Sequence, residues 1–261
     1  MKLRIAPARD GMGWVRDGAR AFARQPVALG GLPLVLMALL SFVSLLPLIG
    51  PLLALALLPA GTVGLLQAAR LAWQGRWPGP AVLLTALRDA PHGPRPMLEL
   101  GALYALCGLA VELLGHVLLG APPDLSGLQA LAPEAARDPA TQAQVRAAAW
   151  HMLARLLLFA PLSLAFWHAP ALTHWHGVPP VKSLFFSVVA VLRNWRAFTF
   201  YGLAAAALTV AATLALALLA VLLGAPRLVL GLLPLSFVMM AIFSASVWFS
   251  YCGCFGDDPG A

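Results

Sequence analysis

Six apolar runs, each close to twenty residues long, divide the chain and restrict it to one class of fold. A transmembrane α-helix needs about twenty apolar residues to cross the hydrocarbon layer of a bilayer. The runs lie at about 27–46, 49–69, 97–120, 150–172, 198–223 and 228–251. They predict an all-α, polytopic membrane protein with six transmembrane helices, built as a single integral membrane domain over residues 1–261.

The composition supports this class and argues against a soluble one. The chain has 261 residues, of which 61% are hydrophobic and 10% are charged, whereas soluble chains carry about 25% charged residues. We therefore expect the excess apolar surface to face lipid. The net charge of +7 raises the alternative of a nucleic-acid binder. The basic residues flank apolar runs, however, so we expect no nucleic-acid partner.

The distribution of basic residues predicts the orientation. Residues 1–26, 70–96 and 173–197 hold six, four and three of the seventeen basic residues. Three others lie in the loops at the opposite end: Arg137, Arg146 and Arg227. Cytoplasmic loops carry the excess of Lys and Arg in membrane proteins. We therefore predict a protein of the bacterial inner (plasma) membrane with its N-terminus and its C-terminus in the cytoplasm.

An amphipathic helix is predicted before the first apolar run. From Asp10 to Arg24 the charged residues fall on one side at helical spacing, and Trp14 and Phe22 fall on the other. Such a helix is expected to lie flat on the membrane, with its aromatic residues at the headgroup boundary. A cleaved signal peptide is the alternative. The apolar run that follows is too long for one, and no cleavage site is evident.

Two further interfacial helices are predicted on the same side of the membrane. On a helical wheel of residues 180–196, a small and polar arc lies opposite an apolar one. Residues 80–90 form a shorter candidate of the same kind. The expected partners of these helices are membrane lipids with anionic headgroups at the cytoplasmic face. Seven residues are candidate interfacial lipid contacts: Trp14, Arg20, Arg24, Lys182, Arg193, Trp195 and Arg196.

The order of these segments favours a threefold internal repeat, in which each interfacial helix precedes a membrane hairpin. Chance similarity in text rich in Leu and Ala is the alternative. The predicted units are an interfacial helix over 1–26 with hairpin 27–69, an interfacial helix and hairpin over 76–172 with a periplasmic loop at 121–149, and a third such unit over 178–251. The matching Pro-Leu-Ser sequences at Pro161 and Pro234 are the best evidence for the repeat.

Ionisable residues inside apolar runs are costly in a membrane, so they are candidates for function. The third and fourth runs hold six such residues, which form a candidate intramembrane polar cluster: Glu112, Arg155, His116, His151, Glu99 and His168. If the two runs are antiparallel neighbours, three pairs share a height: Glu112 with Arg155, His116 with His151, and Glu99 with His168. The cluster is either a proton or anion path or a polar clasp between two helices, and the clasp is favoured.

No catalytic, cofactor-binding or metal-binding motif is visible in the sequence. The three cysteines, at 107, 252 and 254, form no disulfide framework. His174 and His176 are two residues apart, which places their rings on different sides of a helix. We therefore expect a protein that is not an enzyme and that has no cofactor and no metal.

Three stretches of sequence resemble an uncharacterised family of six-helix inner-membrane proteins from beta-proteobacteria. They are PARDGMGWVRDGARAFARQP, LLPLIGP and FAPLSLAFWHAPALTHWHGVPPVKSLFFSVVAVLRNWRAF. The arrangement of interfacial helix and hairpin is also distantly similar to the membrane domain attached to some glycerophosphodiester phosphodiesterases, which is not their catalytic part. The resemblance implies the topology and the location, and it assigns no catalytic residue.

Three functions compete, and a membrane enzyme is the least favoured of them because no nucleophile or metal set emerges from the sequence. Two others are favoured over it. The first is a non-enzymatic scaffold or assembly factor, which organises lipid or a partner membrane protein through its basic interfacial helices. The second is a transporter or channel, in which the His, Glu and Arg residues line a path. The two differ in whether the polar cluster is packed against neighbouring helices or borders a water-accessible cavity that reaches the middle of the membrane.

Overall fold

The structure is a computed structural model that describes residues 2–121 and 138–256, and all regular secondary structure in these ranges is helical. The helices are α1 (Asp10–Arg24), α2 (Pro26–Ser44), α3 (Gly50–Trp73), α4 (Thr85–Arg88), α5 (Arg95–Leu119), α6 (Pro139–Phe166), α7 (Ala169–His176), α8 (Pro180–Arg193), α9 (Trp195–Leu222) and α10 (Leu232–Phe255). Two 3₁₀ turns, at Pro80–Leu84 and Pro226–Gly231, precede α4 and α10.

Six stretches of helix in the described residues are long and apolar enough to cross a membrane, which confirms the predicted fold class. They are α2, α3, α5, the pair α6–α7, α9 and α10. We call the end of the bundle where residues 2–25, 74–94 and 177–194 lie the basic end. The opposite end, which includes residues 45–49 and 223–231, is the far end.

Helix α6 begins inside the segment predicted as a loop. Its first residue is Pro139, and the side chain of Asp138 caps it by accepting a hydrogen bond of 3.2 Å from the backbone N–H of Thr141. Proline suits the first turn of a helix, where no N–H is needed. The predicted loop 121–149 is therefore wrong over residues 139–149, and its residues 122–137 lie outside the described part of the chain.

The fourth span consists of two helices, with a break between Phe166 and Ala169. Pro170 has no N–H to bond to the carbonyl of Phe166, so the helical ladder is interrupted there. Helix α8 bridges the break through Ser187. Its hydroxyl accepts a bond of 2.9 Å from the N–H of His168 and donates one of 2.8 Å to the carbonyl of Leu164.

Helix α1 has the predicted bounds and the predicted two faces, but its apolar face covers α9 and α10. Trp14 is 5% exposed, and its ring packs edge-on against Phe198 with 5.3 Å between centroids. Close approach depends on glycine, because a Cβ at Gly11 would overlap the carbonyl oxygen of Ala197. Trp14 is therefore a core residue. The prediction that it contacts lipid headgroups is wrong, because an amphipathic pattern does not tell a lipid surface from a protein one.

Helix α8 is oriented with its small and polar arc toward the protein. Ser183 and Ser187 are fully buried against α6 and α7, while Val181, Phe185 and Leu192 are exposed. Much of the apolar arc faces outward, while the serines of the polar arc bond to protein groups and its Lys182 and Arg193 remain exposed. Serine is suited to this position because its hydroxyl can bond to a nearby carbonyl.

The helices pack most tightly in the half of the bundle at the basic end. The N-terminal segment is tied there by Asn194, which accepts a bond of 2.6 Å from the N–H of Ala6 and donates one of 3.1 Å to the carbonyl of Arg4. In the same half, α10 is buried from Trp248 to Cys252. Toward the far end, α5 and α9 expose most of their apolar side chains, and we infer that these contact lipid.

Candidate functional site

The ion pair predicted between α5 and α6 is present in the structure. Arg155 Nη1 donates to Glu112 Oε1 at 2.7 Å, and His116 Nε2 lies 3.4 Å from the same oxygen. Glu112 and His116 are one turn apart on α5, so both side chains project from the same face. The Arg155 and Glu112 side chains are 24% and 41% exposed, which places the pair at the surface of the α5–α6 contact.

The other two pairs of residues that share a height have separate surroundings. His116 contacts Glu112, while Nε2 of His151 is buried with no hydrogen-bond partner among the described residues. Glu99 instead accepts a bond of 2.9 Å from Arg95, one turn earlier on α5. An equal height along two helices does not fix the direction in which a side chain points, so a shared height alone predicts no contact.

His168 lies in an aromatic core at the break between α6 and α7, away from the other members of the predicted cluster. It is fully buried, and its ring is 5.5 Å from Phe255 and 6.0 Å from Tyr251, measured between centroids. Neither ring nitrogen has a hydrogen-bond partner among the described residues. The grouping of His168 with Glu99 is therefore wrong, since the break turns His168 toward α8 and α10.

The remaining cluster, Glu112, His116 and Arg155, can join α5 to α6. It lies near the far end, where exposed Trp150 marks the level of the membrane interface on α6. A separate cavity of about 320 Å³ lies deeper, between α3, α5, α6 and α10. No cluster residue lines that cavity, and its walls are mainly apolar. The cluster therefore links α5 to α6 outside that cavity.

Four of the predicted lipid contacts are exposed along α8 and at the start of α9, with Lys182 in the first turn of α8 and the other three where α8 meets α9. Lys182 and Arg193 flank the outward apolar arc of α8. Trp195 is 59% exposed, and the guanidinium of Arg196 lies 5.4 Å from the centroid of its ring. Basic residues beside an exposed aromatic ring are typical of the membrane interface. We call these four residues the α8–α9 belt.

Arg20 and Arg24, the two basic residues of α1 that were predicted to contact lipid, have different surroundings. Arg20 is exposed and forms an ion pair of 3.2 Å with Asp17 on the same helix. Arg24 donates a hydrogen bond to the carbonyl of Trp73 and lies 4.2 Å from the centroid of its ring. Arg24 therefore anchors α1 to the end of α3, in addition to being exposed.

The sequence analysis missed a cavity of about 550 Å³ at the basic end. It lies between the last turns of α3, the first 3₁₀ turn, α4 and α7. Its polar lining includes Gln67, Arg70, Arg76, Thr85, Asp89 and His174. We call it the basic-end cavity. A signal for it was available, because Gln67 and Arg70 are polar residues at helical spacing inside the end of an otherwise apolar span.

Over residues 2–121 and 138–256, no group of three or more His, Cys, Asp or Glu side chains is arranged to hold a metal ion. Cys252 and Cys254 are buried in the last turns of α10 and form no disulfide among the described residues. His174 packs its ring 5.3 Å from Trp175. Cys252, Cys254 and His174 therefore contribute to packing at the basic end.

Comparisons with known proteins identify a relative along the whole chain. The chain is 38% identical over 271 aligned residues to a probable inner membrane protein of Burkholderia thailandensis, and the alignment covers 100% of this chain and 97% of that protein. No protein-family model matches, and no solved structure matches. The likeness to the membrane domain of phosphodiesterases gains no support. The identity and the coverage show that the chain belongs to the same family as this probable inner membrane protein.

Proposed function

We propose that the protein is a non-enzymatic membrane scaffold or assembly factor that gathers anionic lipid at its basic end, with that end in the cytoplasm. The observation that carries the proposal is the outward face of α8. Val181, Phe185 and Leu192 are exposed there, and the cations of the α8–α9 belt flank them. An apolar arc bordered by Lys and Arg is the arrangement that binds the interface of an anionic membrane.

The polar cluster supports a scaffold over a transporter. A conducting path needs polar groups along a cavity that reaches the middle of the membrane. The cavity between α3, α5, α6 and α10 has hydroxyl groups from Thr62 and Ser163 in its wall, but both donate to carbonyls of their own helices. Glu112 and Arg155 bond to each other outside it. The same exposed face of α8 is where a partner membrane protein could pack.

Lipid enrichment tests this function. The protein would be extracted from membranes in polymer nanodiscs, and the ratio of anionic to zwitterionic phospholipid around it would be measured by mass spectrometry. Each Lys or Arg near an anionic surface contributes about 1 kcal/mol. We expect the triple variant Lys182→Gln, Arg193→Gln, Arg196→Gln to lower the enrichment of anionic lipid at least threefold.

The control is the double variant Arg146→Gln, Arg227→Gln, which removes exposed basic residues at the far end. It should leave the enrichment unchanged. A wild-type protein without enrichment, or an equal loss in the far-end variant, would show that the belt does not gather lipid.

A further inference from the structure

The basic-end cavity has the chemistry of a phosphate site. Two guanidinium groups line it, from Arg70 at the end of α3 and from Arg76 in the following loop, and one carboxylate, from Asp89, opposes them. Asp89 and Arg76 are exposed at the rim, while Arg70 is half-buried deeper in. The forked guanidinium group matches the oxygens of a phosphate and can bond to two of them at once.

Two side chains of the cavity lining carry buried polar atoms that have no hydrogen-bond partner among the described residues. His174 lines the cavity and is 5% exposed, and its Nδ1 has no hydrogen-bond partner among the described residues. Oε1 of Gln67, also in the lining, is buried without one. Because these two atoms have almost no accessible surface, neither borders the cavity space, and the contacts to a ligand are expected from the two guanidinium groups.

The deeper arginine is held in place by the protein. The guanidinium of Arg70 lies 5.9 Å from the centroid of the buried Trp248 ring. Helix α3 also brings Gln67 into the same lining, one turn before Arg70. A side chain that is already positioned loses less entropy when it binds a ligand. The cavity is thus arranged before any ligand arrives.

We propose that the basic-end cavity binds a phosphate group, which Arg70 and Arg76 contact. The phosphate belongs either to a lipid headgroup or to a small soluble phosphate compound, since the cavity opens at the end of the bundle where both are present. This site goes beyond the scaffold function, because the α8–α9 belt attracts anionic lipid without a defined pocket.

Two sets of probes distinguish the sources of phosphate. In the lipid arm, native mass spectrometry would measure the binding of phosphatidic acid and phosphatidylglycerol to the purified protein, with diacylglycerol of the same acyl chains as the phosphate-free reference. In the soluble arm, inorganic phosphate and glycerol 3-phosphate would be titrated in a thermal-shift assay. Binding in one arm identifies the source, and binding in both shows that the phosphate group itself is recognised.

The test variant is Arg76→Gln, because Arg76 is exposed and its replacement should not affect folding. The matched control is Arg88→Gln, an exposed arginine on α4 that does not line the cavity. We expect at least a tenfold weaker binding of the phosphate probe in Arg76→Gln and less than a twofold change in Arg88→Gln. Arg70→Lys, which keeps the charge and loses the fork, should also weaken binding.

Three results would overturn the proposal: no probe binds the wild-type protein, diacylglycerol binds as tightly as phosphatidic acid, or the two glutamine variants lose affinity equally. The test is independent of the scaffold function. The triple variant of the α8–α9 belt should keep saturable phosphate binding in the cavity even though it loses the enrichment of anionic lipid.

Discussion

At the scale of single residues, the pair of Glu112 and Arg155 gives the sharpest prediction. Reversing either charge alone places two like charges at the contact between α5 and α6. We expect Glu112→Arg and Arg155→Glu each to lower the free energy of unfolding by about 2 kcal/mol, which is typical of a lost hydrogen bond between charged groups. The double exchange should recover most of this loss. Thermal unfolding in detergent, monitored by tryptophan fluorescence, measures all three variants.

His116 tests whether the pair is specific. It contacts the same Glu112 oxygen from the same helix, so a neutral His116→Gln variant keeps the bond between α5 and α6 and should change stability much less. If the double exchange were as damaging as the single reversals, the side chains would not be acting as a pair.

The sequence predicted this pair for a physical reason that does not extend to the other residues of the cluster. Two opposite charges in neighbouring spans avoid lipid best by meeting each other. A histidine, in contrast, can be neutral and can pack its ring against aromatic neighbours, as His168 does beside Tyr251 and Phe255. The position of His168 also depends on the helix break at Pro170. The sequence alone does not give the direction in which this break turns the His168 side chain.

At the scale of secondary-structure elements, the docking of α1 on α9 can be tested with two glycines of the same helix. A Cβ at Gly11 would meet the backbone of α9, whereas a Cβ at Gly13 would have nothing within 4 Å. We expect Gly11→Ala to destabilise the protein by about 1–3 kcal/mol through overpacking. Gly13→Ala should be neutral or stabilise it by up to about 1 kcal/mol, because alanine favours a helix more than glycine does.

A thiol-reactive fluorescent dye gives the measurement, since the buried Cys252 and Cys254 react only when the structure opens. Opposite signs for the two alanine variants are expected. If Gly11→Ala melted at or above the temperature of Gly13→Ala, α1 would not be packed on α9 as closely as the structure has it.

The helices show which features the spacing of apolar residues can predict and which it cannot. The bounds of α1 and the two arcs of α8 were predictable, since spacing at 3.6 residues defines a helix and its faces. The surroundings of those faces were not predictable. Trp14 is covered by protein, and Ser183 and Ser187 bond inside the fold, because small residues allow a close approach and hydroxyls can be satisfied by neighbouring main-chain or side-chain groups. The basic-end cavity was not predicted, because three segments that are separate in the sequence form it.

At the scale of the whole molecule, the tightly packed half and the basic residues lie at the same end. The N-terminal segment, α1, α4, α7 and α8 all gather there around the last turns of α3 and α10. The far half has longer stretches of exposed apolar helix. This division follows from the sequence order, since each hairpin is preceded by an amphipathic or turn segment at one end of the bundle.

The orientation of this asymmetric molecule is the remaining prediction, and it decides which solution the basic-end cavity meets. Because thirteen of the seventeen basic residues lie in the segments of one side, the positive-inside rule places the basic end in the cytoplasm. In a Cys107→Ala background, single cysteines would replace Met12 on α1 and Val145 on α6, both of which are about half exposed. A membrane-impermeant maleimide applied to intact cells should label position 145, and should label position 12 only after the inner membrane is permeabilised. The unsubstituted background controls for reaction at the buried thiols. Labelling of position 12 in intact cells, with position 145 protected, would place the basic end in the periplasm, where anionic headgroups of the inner leaflet could not reach it.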